Sequence, residues 1–192
     1  MELNANPFKF DIESIFKCDV PDLDTHVVLV LNGFYYSGNH AGTLPDGVTV
    51  CSLNEASLRF PDVFHKHYSH YADTSADGLV ALNTLFAQDG VFIYIPRDTV
   101  MEKPLQVINL SHSLKNLRIT RRNLIVAEQN SAASIVVCDH TLCNKSYLTN
   151  SLTEIFIGEN ASIAFDRLQN ENSKSTQINN LFVHQLQSSR FN

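Results

Sequence analysis

The densest group of reactive side chains is Cys138-Asp139-His140-Thr141-Leu142-Cys143, three soft metal ligands within six residues. If residues 136–140 form a strand, Cys138 and His140 share one face, and Cys143 can return from the following turn. A closed tetrahedral site needs a fourth ligand, and no spacing argument brings Cys51 close. The expectation is therefore that no metal is bound, with Cys138, His140 and Cys143 the residues that would hold one. A second cluster, His65, His67 and His70, would place His67 and His70 on one helix face at a metal-binding spacing. No carboxylate or cysteine completes it, so exposed helical histidines with incidental metal affinity are expected. Hydrolysis of a glycosidic bond would need two or more carboxylates on one face. The acids Glu128, Asp139, Glu154 and Asp166 are isolated, none paired at i, i+2. Neither a GxxxxGK[ST] phosphate loop nor a GxSxG nucleophile elbow occurs, and no catalytic residue is assigned.

The chain that must position these residues has 192 residues, 44% of them hydrophobic. A single domain of that size buries roughly 70% of its unfolded surface and needs no covalent staples. Its four cysteines, Cys18, Cys51, Cys138 and Cys143, are therefore read as buried small hydrophobes in a reducing cytoplasm. No apolar run is long enough to span a bilayer, and MELNANPFKF has no signal-peptide character. A net charge of -6 opposes nucleic-acid binding. Arg118, Arg121 and Arg122 are too few to reverse that, and they are expected to be solvated at a corner between strands.

Residues 1 to about 25 hold scattered apolar positions, Phe8, Phe10, Ile12, Ile15 and Phe16, enough for one short helix or strand. HVVLVLNGFYYSG predicts a β-hairpin about Asn32-Gly33, and Pro45-Asp46-Gly47 a turn before the strand VTVCSL. Helix is expected from Asn54 to about Tyr71, with Ala56, Phe60, Val63 and Phe64 on one face and Pro61 in a first turn. A second helix, capped by Asp73, should bury Leu79, Leu82, Leu85 and Phe86 and stop at Gly90. The period then changes to two in VFIYIP and LQVINL, and no helix is expected beyond.

The second half repeats itself. LIVAEQNSAASIVV from Leu124, EIFIGENASIAF from Glu154 and NLFVHQLQSSRF from Asn180 each read strand, polar turn, small residues, strand. Asn130 and Asn160 stand 30 apart at the turns, and Val183 follows Ile157 by 26. Such a unit buries its apolar face only by stacking on the next, which predicts a β-solenoid rather than a jelly roll. The expected organisation is a small α/β lead-in over residues 1–95 and two to four coils of a truncated parallel β-helix over residues 96–192. An uncapped last coil predicts self-association, a homodimer through the open end of the solenoid.

The runs ADTSADGLVALNTLFAQDGVFIYIPRDTVMEKPLQVINL, RRNLIVAEQNSAASIVVCDHT and YLTNSLTEIFIGENA resemble the SufB/SufD family of the SUF iron-sulfur cluster assembly system, on its SufD side. The resemblance runs from about Val27 to Asn192. It implies a mainly β chain, a right-handed parallel β-helix flanked by helical segments, working as a non-enzymatic scaffold. The partners it implies are a SufB-like paralogue and SufC, an ABC-type ATPase. It also implies that the SufC-binding helices, the cluster-building surface and the family's helical N-terminal part lie outside this chain. Met1 onward then reads as an internal segment, and an iron-sulfur cluster belongs to the full complex rather than to this fragment. Two readings stay open beside it: a stand-alone β-helix carbohydrate enzyme, and a metal-binding module built on Cys138, His140 and Cys143.

Overall fold

The computed structural model describes residues 24–36 and 43–192. The expectations for residues 1–23, Cys18 among them, lie outside the described residues.

Two sheets face each other. One carries, from its first edge, β2 (Phe34–Tyr35), β1 (His26–Leu31), β5 (Leu105–Ser111), β7 (Ala132–Thr141), β9 (Ser162–Asn170) and β11 (Arg190–Phe191). The other carries β3 (Thr49–Ser52), β4 (Val91–Ile95), β6 (Leu117–Ala127), β8 (Tyr147–Ile157) and β10 (Ser175–Gln185). All pairings from β1 and β4 onward are parallel, and the chain crosses from sheet to sheet at each corner. The product is the β-solenoid expected from the repeat, with about three turns. Strands on both sides of residue 96 share these sheets, since β1 pairs with β5 and β4 with β6.

Side-chain alternation divides each strand between lumen and outside. Val28, Val30, Ile93, Ile95, Val107, Ile125, Ile135, Val137, Ile155 and Ile163 meet in the lumen as one buried cluster. Each such side chain contributes roughly 1.5–3 kcal/mol by leaving water. β-Branched residues suit these positions because their stiff χ1 fits a pleated surface crowded from both sides.

The corners obey one rule. Asp98, Asn130, Asn160 and Ser188, at successive turns of one corner, all adopt left-handed φ between 57° and 60°. Asparagine and aspartate tolerate that region best among side-chain-bearing residues. Gly158 is needed for a different reason: a Cβ there would lie 2.7 Å from the Gln129 nitrogen of the preceding coil. The spacing of the third repeat differs from the sequence alignment. Val183 pairs with Ile155, not with Ile157, so the last coil is 28 residues rather than 26. The preceding offset is 30, as in Leu124 to Glu154. The two residues are lost in the corner after β9, and an even deletion keeps every side chain on its face.

The hairpin forms as expected, with Asn32 and Gly33 both at positive φ and Val30 paired to Tyr35. Gly47 takes the left-handed position of its turn, closed by Val48 N–H to the Pro45 carbonyl. The helical stretch is two helices, α1 (Leu53–Arg59) and α2 (Pro61–His67), separated at Phe60 because Pro61 opens the second. The third, α3 (Gly78–Phe86), is capped by Asp77, which accepts from Leu79 N–H at 2.7 Å; Asp73 instead closes a local turn with Ser75. Its inward residues are Val80 and Asn83, while Leu79, Leu85 and Phe86 are exposed. The expected apolar face thus points away from the sheet, because Asn83 is held inward by the Arg121 and Asn150 carbonyls.

Candidate functional site

Arg121 and Arg122 are adjacent on β6, so their side chains leave opposite faces of the sheet. Both are buried, at 2% and 0% exposure, which corrects the expectation of solvated arginines. Arg121 crosses the lumen to Asp139 on β7, Nη2 to Oδ1 2.6 Å, and its Nε reaches Ser151 at 3.2 Å. Asp139 also accepts from Asn109 Nδ2 at 3.0 Å and from Arg167 Nε at 2.8 Å, and it is wholly buried. Burial pushes the nearby Glu171 carboxyl upward, with the charge of Asp139 adding to the effect. One half of the lumen is therefore apolar and the other is a charged, hydrogen-bonded network.

Arg122 points outward, under the helices. Its Nε and Nη2 both reach Glu154 Oε2, at 3.1 and 2.8 Å, and its Nη1 donates to Thr84 on α3 at 2.7 Å. Its guanidinium lies over the Tyr68 ring, 5.0 Å from the centroid. Glu154 accepts in addition from the backbone N–H groups of Ser69, Tyr71 and Ala72, at 2.9, 2.8 and 3.1 Å. Five donors on one buried carboxylate tie the loop after α2 to the solenoid wall. Sequence reasoning took Glu154 and Asp139 as isolated acids. Their arginine partners sit 32 and 18 residues away, and only the coil register brings them together.

Next to this clamp, His67, Tyr71, Phe156 and His184 stack along the wall, with Phe156 4.3 Å from His67 and His184 5.0 Å from Tyr71. His67 Nδ1 is 2.6 Å from the Tyr71 hydroxyl. Burial moves the His67 pKa down to about 4 and the Tyr71 pKa up to about 12. His67 is thus neutral and packed, while His70 lies beyond the end of α2 and bonds the His65 carbonyl at 3.0 Å. His65 and His70 are exposed as expected, but His67 is buried and does not share a helix face with His70, which corrects the expectation for that pair.

Cys138 and His140 lie on one face of β7, as period-two alternation requires. That face is outside the lumen, where Cys138 is buried beside Ile108, Leu110 and Val136 and accepts from Gln106 Nε2 at 3.5 Å. Cys143 sits in the following corner, its Sγ 2.9 Å from both the Ser113 carbonyl and the Tyr147 hydroxyl. Cys51 is in a separate apolar cluster, where burial pushes its thiol up to about 12 and keeps it protonated. Among the described residues no three His, Cys, Asp or Glu side chains are placed to hold a metal ion. No described helix is long and apolar enough to cross a membrane.

The chain matches two family models, the SufBD protein N-terminal region over residues 1–107 and the SUF system FeS cluster assembly SufBD core domain over residues 110–192. It is 32% identical over 120 residues to an iron-sulfur cluster assembly SufBD family protein of Arabidopsis thaliana, covering 62% of this chain and 26% of that relative. A SufBD family protein of Synechocystis is 27% identical over 126 residues, 65% of this chain and 26% of its own length. The iron-sulfur cluster assembly protein SufD of Bacillus subtilis is 26% identical over 132 residues, 68% of this chain and 30% of its own length. The chain thus spans about a quarter of the length of the first two relatives and under a third of the last.

Proposed function

Because this chain belongs to the SufBD family of iron-sulfur cluster assembly proteins, we propose that it is a non-catalytic scaffold subunit of the SUF system. In this reading it pairs with a SufB-like paralogue in the cytoplasm. In its full-length form it recruits a SufC-like ABC ATPase, and the cluster is cargo of the complex rather than a resident cofactor.

The observation that carries the reading is where the charged chemistry goes. Asp139 and Glu154 are wholly buried, and their oxygens are engaged by Arg121 and Arg167, and by Arg122 and the loop after α2. A carboxylate so saturated holds coils and helices in one body; it does not face a substrate as a sugar-cleaving acid must. What remains for function is the outer surface of a rigid coil stack, which suits a protein that works by positioning partners. The test is anaerobic affinity purification of the full-length protein from its own cells, with mass spectrometry of what co-purifies. A SufB-like paralogue and a small ABC-type ATPase are expected, and recovery of neither overturns the proposal.

A further inference from the structure

We propose that the solenoid corner preceding β6, β8 and β10, together with the outer face of α3, is a docking surface for an acidic amphipathic segment of a partner protein. Three features meet there. Lys115, Lys145 and Lys174 are exposed at this corner on three successive coils, and Arg118 follows at the start of β6, also exposed. None of the four takes part in the ion pairs formed by the described residues. Beside them are exposed apolar side chains: Leu114 at 83%, Leu85 at 76%, Phe86 at 47%, Leu79 at 43% and Leu148 at 40%.

Arg118, Phe86, Leu148 and the first turn of α3 are neighbours on one surface, and Leu114 adjoins Lys115 in the chain. The Arg118 guanidinium lies 4.7 Å from the Phe86 ring centroid, and Arg118 is the register neighbour of Leu148. Asn150 Nδ2 donates to the Leu79 carbonyl at 3.0 Å, which fixes the first turn of α3 beside β8. The corner itself is rigid. Ser113 Oγ accepts from Lys115 N–H, Asn116 Oδ1 from Ser146 N–H, and Asn172 Oδ1 from Lys174 N–H, while Asn172 Nδ2 donates to the Lys145 carbonyl. The lysine backbones are thus presented in a fixed row by polar side chains of the coils.

Charge selects the occupant. The chain carries -6 overall, yet this corner sets Lys115, Lys145, Lys174 and Arg118 against one half-buried carboxylate, Glu171, whereas the opposite corner sets Arg97 against Asp98, Glu128 and Glu159. A row of cations flanking an apolar strip complements a helix with an apolar face edged by aspartate and glutamate. A nucleic-acid backbone would satisfy the lysines but leave Leu114 and Leu85 in water. An anionic bilayer would have to accept a body of strongly negative net charge. Contiguous exposed apolar area edged by charge is the usual mark of a protein-binding surface.

The experiment places a photo-crosslinking amino acid at Leu114 in the full-length protein in its own cells, with a second probe at Glu159 on the opposite corner as control. The expected product from Leu114, and not from Glu159, is a crosslink to one protein, mapped by mass spectrometry to a segment of net negative charge with apolar residues at helical spacing. Its yield should fall about tenfold in K115E/K145E/K174E. These sites are exposed, so circular dichroism should show an unchanged fold. Leu85→Ser should cut the yield without altering charge. Adducts to lipid or nucleic acid, crosslinks indifferent to charge reversal, or no excess over the Glu159 control would each overturn the proposal. These outcomes are independent of which subunits co-purify with the protein.

Discussion

Arg121 and Arg122 occupy consecutive positions, yet one closes a network inside the lumen and the other fastens helices to the outer wall. A buried charge is tolerable only when its partner and its remaining hydrogen bonds are supplied, and both arginines meet that condition. Removing one partner leaves the other uncompensated. Glu154→Ala is therefore expected to lower unfolding free energy by about 3–5 kcal/mol in urea titrations, and to release the loop at Ser69–Ala72 to protease. A loss under about 1 kcal/mol would mean that the clamp contributes little. His67 supplies a second residue-scale test. Its folded pKa, about 4, is depressed below the unfolded value of 6.5, so its stabilising contribution is present above pH 6.5. It is lost as pH falls toward 4, a change of up to about 3 kcal/mol. Stability measured by urea unfolding from pH 7 to 4 should show this slope in the wild type and a shallower one in His67→Gln.

α3 was legible as a helix from its spacing, but its orientation was not. Leu79, Leu82, Leu85 and Phe86 form the more apolar side, and a pattern argument turns that side inward. The tertiary structure turns Asn83 inward, because the sheet offers it the Arg121 and Asn150 carbonyls and the sheet's own apolar residues are already covered by α1 and α2. The cap was misplaced for a related reason: two aspartates, Asp73 and Asp77, precede the helix, and both fit the local rule. Asp77→Ala should cost about 1 kcal/mol, and Asp73→Ala, which loses only its exposed turn with Ser75, less than about 0.5 kcal/mol, both read from urea midpoints. Comparable losses from the two would contradict the capping geometry.

At the scale of the whole molecule, stability is set by how many neighbours each coil has. β8 is flanked on both sides over its full eleven residues, while β6 has β8 along its whole length and β4 along residues 124–127, and α3 packs across both. β10 has its full-length partner in β8. Amide exchange should therefore be slowest in β6 and β8, intermediate in β5 and β7, and fastest in β10 and β11, as checked by native-state hydrogen exchange with mass spectrometry. Uniform protection across the coils would indicate that the stack opens only as a single unit.

The repeat of apolar pairs and polar turns was enough to specify stacking, since a unit that cannot bury its face alone has no other stable arrangement. Asn130 and Asn160 marked the corners because left-handed torsions restrict which residues stand there. The sequence also showed which strand neighbours share a face, as with Cys138 and His140, because that follows from period two alone. It could not show which face is the lumen, nor that the third coil is two residues shorter than the second, nor that Arg121 would meet Asp139 and Arg122 would meet Glu154. Those facts depend on register between coils about 30 residues apart, and register is chosen by the packing of all coils together. An arginine read alone is a surface residue; only the folded stack supplies the carboxylate that lets it be buried.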